Sequence, residues 1–285
     1  VGFGKTIKDG IMNAVDSFTG KNRIEQANEK YDKINAEYEQ ARKEYEETTE
    51  QQNQLLFVHI EKINACKEHI QMDLFSDFVE MLSLLKDAEI PEEFSEEQYS
   101  QQCRKLDSFQ KIRTRDSLLT IDFDRDKLKT ALQSLFTLGI YTRKKAKESL
   151  DHVEEQRVVL EKEMTEMSSE VEKLKALVSS VEQIEYYFEK MSGLFEKWLR
   201  YMEHAIHYIA YAAMRIGKRI PKRSISISLL HETQQKELEA TVTLGKVLSS
   251  MIQQQIVITK TDTNLSEYEQ KMKQHFETFK DQIIA

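Results

Sequence analysis

From Ile24 onward, apolar or permissive residues recur in alternating steps of three and four: Ile24, Ala27, Tyr31, Ile34, Tyr38, Ala41, Tyr45, Thr48, Gln52 and Leu55. Such steps keep side chains on one side of a helix with 3.6 residues per turn, so the pattern predicts a coiled-coil seam. Charged residues fill the gaps. Glu29 with Lys33 and Glu39 with Lys43 place the acid four residues before the base, the order that supports a helix. After Leu55 the seam changes phase and broadens, through Leu56, Ile60, Ile63, Ile70, Leu74, Phe78, Leu82 and Leu85. A wider apolar stripe needs more neighbours, so the helix is expected to enter a multi-helix body there. Pro91 marks its expected end, because proline has no amide proton and disfavours helical geometry in the residue before it.

A second seam begins at Leu150 and runs through Val153, Arg157, Leu160, Met164, Met167, Val171, Leu174, Val178 and Val181. It slips by part of a heptad, which changes the winding without ending a helix. It then continues through Ile184, Phe188, Met191, Phe195, Trp198, Met202, Ala205, Ile209, Ala212 and Ile216, until Gly217 and Pro221 close it. At 1.5 Å per residue, helices over 24–88 and 143–219 have similar lengths of about 100 and about 115 Å, which predicts their pairing as an antiparallel hairpin. The fold class expected is therefore all-α: an elongated antiparallel helical bundle or coiled-coil hairpin with a thicker body. In domain terms this gives an N-terminal amphipathic helix over 1–20 and a first long helix over 21–90. A short helix and connector over 91–125 and a second long helix over 126–220 follow, then C-terminal helices over 221–285 that pack on the body.

Smaller signals fill in these segments. Ser95 with Gln98 is a capping-box pattern for a helix of roughly 96–113. Asp122 and Asp124 are N-cap candidates for a helix that ends near Gly139. Arg223 to Leu229 alternates polar and apolar residues as an extended segment does, with 120–123 as a candidate pairing partner. Two further helices are expected over about 231–256 and about 264–283.

Composition narrows the class. The chain holds 8 glycines and 2 prolines in 285 residues, so turns are few. A net charge of -8 argues against a protein that coats nucleic acid, which requires a basic surplus. Cys66 and Cys103 are too few for a disulfide framework and lack metal-ligand spacing, so free thiols in a reducing compartment are expected. Lys5, Lys8, Asp9 and Asp16 interrupt any apolar signal segment near the start, and a cytoplasmic location follows as the expectation.

The first residues carry the clearest functional pattern. Gly4-Lys5-Thr6 matches the last positions of a phosphate-binding loop, but the earlier glycine and the strand that aims such a loop are not in the sequence given. At 100° per residue, Phe3, Ile7, Ile11, Ala14, Val15 and Phe18 share an arc of about 120°, with Lys5, Asp9, Asn13, Asp16 and Ser17 opposite and Lys8 along one rim. This is an amphipathic helix. It suits the bundle's own surface, a groove on a partner protein, or a lipid surface where lysines meet anionic headgroups. Arg215, Lys218, Arg219, Lys222 and Arg223 form a second basic cluster, able to attract anionic lipid or to complement a helix C-terminus. The stretch from Trp198 to Ile216 contains Arg200, Glu203, His204, His207 and Arg215, so it is expected to be a buried helix rather than a membrane span. His204 and His207 lack the Glu-x-x-His spacing of helical di-metal sites and are expected at the core or its boundary. No nucleophile elbow, zinc-protease motif or glycine-rich oxyanion turn is present. No catalytic residue, cofactor, metal or small-molecule substrate is therefore expected.

In layout the chain is similar to the phage-shock and ESCRT-III-like membrane-remodelling proteins, which also set a short amphipathic helix before a long helical hairpin; the similarity covers that layout and residues 3–18. It implies reversible membrane attachment and assembly into homo- or hetero-oligomers. The alternative readings are an α-helical pore-forming toxin subunit and a coiled-coil adaptor whose N-terminal helix docks into a partner protein. The candidate contact residues are Phe3, Lys5, Ile7, Lys8, Ile11, Val15, Phe18, Lys218, Arg219, Lys222 and Arg223.

Overall fold

The computed structural model describes residues 21–88, 91, 94, 113–114, 143–215, 225–254, 257–258 and 263–284. It is an all-α helical bundle. Helix α1 spans Lys21–His69 and passes through a π-helical turn, Ile70–Leu74, into α2, Phe75–Leu84. Helix α3 spans Arg143–Arg215, α4 spans Glu232–Gln253 and α5 spans Thr263–Ile284. The chain divides into two compact units, Val1–Gln52 with Leu119–Lys175, and Asn53–Leu118 with Ala176–Ala285.

In the first unit, α1 and α3 meet along the seams read from the sequence. Ile34, Tyr45 and Thr49 are buried on α1, and Val153, Leu160, Met167 and Leu174 on α3. Two bonds fix their register. Tyr38 donates to Glu163 at 2.9 Å and Tyr45 to Glu170 at 2.9 Å, each across 125 residues. An antiparallel pair keeps the sum of partner numbers constant; here the difference is constant, so the helices run parallel. The expected antiparallel pairing of the two long helices is thus corrected, and with it the hairpin that the layout resemblance implied. A parallel pair cannot be closed by a tight turn and requires a long crossover segment.

The seams also differ in detail. The phase change falls at Thr49, about two turns before the expected place, which leaves Leu55 exposed and puts Leu56 inside. Arg157, read as a seam position, is exposed and pairs with Glu154 and Glu161 on its own helix. Lys33 and Lys43 turn to the acids that follow them, Glu37 and Glu47, rather than to those that precede them. Each is a solvent-exposed pair worth a few tenths of a kcal/mol, so either choice is nearly neutral.

The second unit holds the thicker core. The π turn widens the buried arc, so that Ile70, Gln71, Leu74 and Phe75 are all inside. Phe75, Phe78, Phe94 and Phe195 form an edge-to-face cluster with centroids 4.9 to 6.0 Å apart. Helix α2 stops at Leu84, well before Pro91, because the backbone of Leu85 turns extended and pairs in parallel with Ile225. Lys86 N donates to Ile225 O at 2.8 Å, and Ile225 N to Leu84 O at 3.3 Å. Of the predicted extended segment over 223–229, Ile225 forms this bridge and Ile227–Leu229 is a 3-10 turn, while 223 and 224 lie outside the described residues. Arg113–Thr114 pairs in parallel with Val257–Ile258, so the helix expected over 96–113 does not include its last residue. The rest of that helix, the helix after Asp122 and the 120–123 partner lie outside the described residues.

The two C-terminal helices appear where predicted. His231 caps α4 by accepting from Thr233 N, while Gln234 accepts from His231 N at 3.0 Å, a capping box with histidine in the usual hydroxyl position. Helix α5 docks on α3 through Phe276 against Tyr187 and Phe279 against Trp198. Gly245 of α4 faces the rings of Phe195 and Phe78, where a Cβ would lie 3.2 and 3.4 Å from ring carbons. Glycine lets the helix approach that closely. Gly193 on α3 has open space around the same position.

The two glycines give opposite predictions. Gly245→Val is expected to destabilise by about 1–3 kcal/mol through overpacking, and Gly193→Ala to stabilise by about 0.5–1 kcal/mol through helix propensity. Urea denaturation of both variants checks this; equal effects of the same sign would contradict the packing described.

Candidate functional site

Two features of the second unit carry chemistry. The first is a polar layer between α1 and α3. Glu185, almost fully buried, receives Lys62 Nζ at 2.8 Å and lies 2.5 Å from His59 Nδ1. Burial works against its charge, but the bonds from Lys62 and His59 outweigh that and hold the carboxyl below its usual range. About two turns on from His59 and Glu185, Cys66 Sγ lies 3.5 Å from Ser192 Oγ. Burial pushes this thiol up, against the smaller pull of Ser192, so it is a packing group rather than a reactive thiolate.

Next to it, Lys67 is 2% exposed. Its ammonium donates to the carbonyl of Gln254 at 3.2 Å and sits 5.7 Å from the Phe188 ring and 6.0 Å from the Tyr268 ring. Gln254 is the C-cap of α4, whose carbonyl end attracts positive charge. Tyr268 of α5 in turn donates to Met251 O at 2.9 Å. One lysine from α1 thereby ties down α3, α4 and α5. Burial pushes it down to about 8.

The second feature is the outer face of α3 near its end. At 100° per residue, Tyr186, Lys190, Gly193, Lys197, Arg200, Tyr201, His204, Tyr208, Tyr211 and Arg215 share an arc of about 100°. Every one of them is exposed. Tyr208 is 74% exposed and Tyr211 62%, with Met214 at the margin at 59%, values unusual for large side chains on a helix whose opposite face is core. That opposite face contains Phe195, Leu199, Met202 and Ile206, all buried. Glu196 pairs with Arg200 from the margin. Glu203 lies beyond it, towards α2, where burial and then the nearby Asp77 raise its carboxyl.

Of the contact residues predicted from the sequence, Phe3, Lys5, Ile7, Lys8, Ile11, Val15 and Phe18 lie outside the described residues, as do Lys218, Arg219, Lys222 and Arg223. Arg215 is described, at the last turn of α3. His204 and His207 are exposed, which corrects their expected place at the core boundary, and the Trp198 stretch is buried on one side only. The tyrosine face was missed, although the steps 201, 204, 208, 211 and 215 repeat the seam spacing on the opposite side. Among the described residues no group of acidic, histidine or cysteine side chains is arranged to hold a metal, and no helix is long and apolar enough to cross a membrane. The chain matches no protein-family model, no curated protein and no solved structure.

The lysine cap predicts a pH dependence. Lys67 titrates at about 8 when folded and near 10.5 when exposed, so between those values the unfolded chain holds a proton that the folded chain has released. Stability then rises with pH across that window. Wild type is expected to gain on Lys67→Met between about pH 8 and about pH 10 in urea denaturation. A stability difference that stays flat over this range would contradict the buried, neutralising lysine.

Proposed function

We propose that this chain is a non-enzymatic helical-bundle protein that attaches reversibly to an anionic membrane surface and assembles through its long helices in a scaffolding or membrane-remodelling role. One observation carries the reading: residues 3–18 concentrate five large apolar side chains on one arc, with Lys8 along its rim and Lys5 on the opposite face. Full burial of Phe3, Ile7, Ile11, Val15 and Phe18 sets an upper bound on the order of 10 kcal/mol, and ordering the peptide consumes much of it. The product is reversible attachment, which assembly into several copies would strengthen. The long α1 and α3 seams, which meet within the chain, would support such assembly if copies exchange a helix, since the same contacts then form between chains. A cytoplasmic location, peripheral at the membrane, accompanies the reading.

Co-sedimentation of the full chain with vesicles tests it. Wild type is expected in the pellet with phosphatidylserine-rich vesicles and in the supernatant with phosphatidylcholine alone. A full-length chain carrying Ile7→Asp, Ile11→Asp and Val15→Asp is expected to lose at least about tenfold in partitioning, given about 1.5–3 kcal/mol per buried side chain. Equal pelleting of the two proteins would refute the role of residues 3–18. Retention of that role in a pull-down with a purified protein, without any vesicle binding, would instead establish the adaptor reading.

A further inference from the structure

We infer that the outward face of α3 from Tyr186 to Arg215 is a second lipid contact, one that docks flat on an anionic bilayer surface. The inference rests on the membrane reading above but uses different residues, and the two can fail separately.

Three observations converge on this face. Its ten residues are all exposed, and none is acidic: four are tyrosines, four are lysine or arginine, and the others are Gly193 and His204. Glu189 and Glu196 flank the arc, and Glu196 pairs with Arg200, yet Lys190, Lys197 and Arg215 leave the face basic in a chain whose net charge is -8. Tyr186 packs on Tyr187 and Phe276 and so borders the core, but Tyr201, Tyr208 and Tyr211 do not, because the buried side of the same helix points the opposite way. A tyrosine ring offers an apolar body and a polar tip, which is why this residue collects at the level of lipid headgroups. Lysine and arginine stems behave similarly, covering apolar surface while the charge stays in water. Lys190 already lies over the Tyr186 ring at 5.6 Å, an arrangement in which ring and cation present together.

Nucleic acid is the other occupant with matching chemistry. The spacing speaks against it: among the described residues, Tyr201, Tyr208 and Tyr211 lie along one helix, α3, whose convex outer face does not cradle a phosphate backbone as a groove does. A convex helix with an aromatic and basic outer arc fits a broad, laterally fluid anionic surface. The basic run from Lys218 to Arg223 follows directly in sequence and adds charge of the same sign.

The test uses the full chain with phosphatidylserine-rich vesicles. Tyr208→Trp places a reporter on the face, to be read against the background of the half-buried Trp198. Vesicles with brominated acyl chains are expected to quench the added fluorescence, whereas wild-type emission changes little. In parallel, a chain carrying Tyr208→Ser, Tyr211→Ser and Arg215→Gln is expected to partition about tenfold more weakly, since one basic residue near the surface alone contributes about fivefold. All three positions are solvent-exposed, and an unchanged thermal midpoint confirms that the fold is intact. Unquenched Tyr208→Trp in a chain that pellets, or equal pelleting of the triple variant, would overturn the inference while leaving residues 3–18 as the contact. The reverse pattern, with the face variant weakened and the Ile7, Ile11 and Val15 variant unaffected, would uphold it and overturn the earlier reading. Binding of a fluorescent oligonucleotide that the face variant abolishes, without vesicle binding, would also overturn it.

Discussion

The organisation of this protein depends on a fixed offset between its two long helices. Tyr38 reaches Glu163 and Tyr45 reaches Glu170 in the first unit, and in the second Cys66 meets Ser192 and His59 meets Glu185, each 125 or 126 residues apart. Equal offsets mean parallel helices. That constraint excludes the simplest topology for two helices of similar length, a hairpin with a tight turn. It also explains why the chain spends a long segment between Leu84 and Arg143 before the second helix begins.

Apolar burial supplies most of the stabilisation but does not by itself select one register, because a repeat of three and four looks alike one heptad further on. The polar contacts do select it. Each tyrosine hydroxyl or carboxylate that finds its partner contributes roughly 1 kcal/mol, and each that loses it while buried costs more. A slip by seven residues would withdraw both tyrosine bonds of the first unit. It would also strand Glu185 away from Lys62 and His59. Lys67 applies the same logic at the end of α4, where its ammonium meets the carbonyl of Gln254 and the rings of Phe188 and Tyr268 lie over it.

The seams, the broadening after Leu56 and the two C-terminal helices were all legible in the sequence, because each rests on local periodicity or a capping pattern. Direction was not. Ten seam positions on each helix fit a parallel and an antiparallel partner equally well, and the deciding contacts pair residues more than a hundred positions apart. Pro91 was a strong local stop signal, yet Leu85 ended the helix first, because pairing with Ile225 is a long-range event. The outer face of α3 was legible in principle. Its tyrosines follow the same three-and-four spacing as the seam, and were passed over because apolar periodicity draws the eye to the buried side alone. Where residues 3–18 are concerned, the sequence remains the source of the functional reading.

The helix direction is the claim on which the rest turns, and spin-label distances test it directly. With Cys66 and Cys103 replaced by serine, labels go on two exposed pairs of the first unit, Ala36→Cys with Glu161→Cys and Lys43→Cys with Ser168→Cys. Moving both labels seven residues along parallel helices leaves their separation unchanged, so the two pairs are expected to give the same short distance. In an antiparallel arrangement the axial offset changes by about 20 Å over the same step, and two distances differing by that amount would contradict the account.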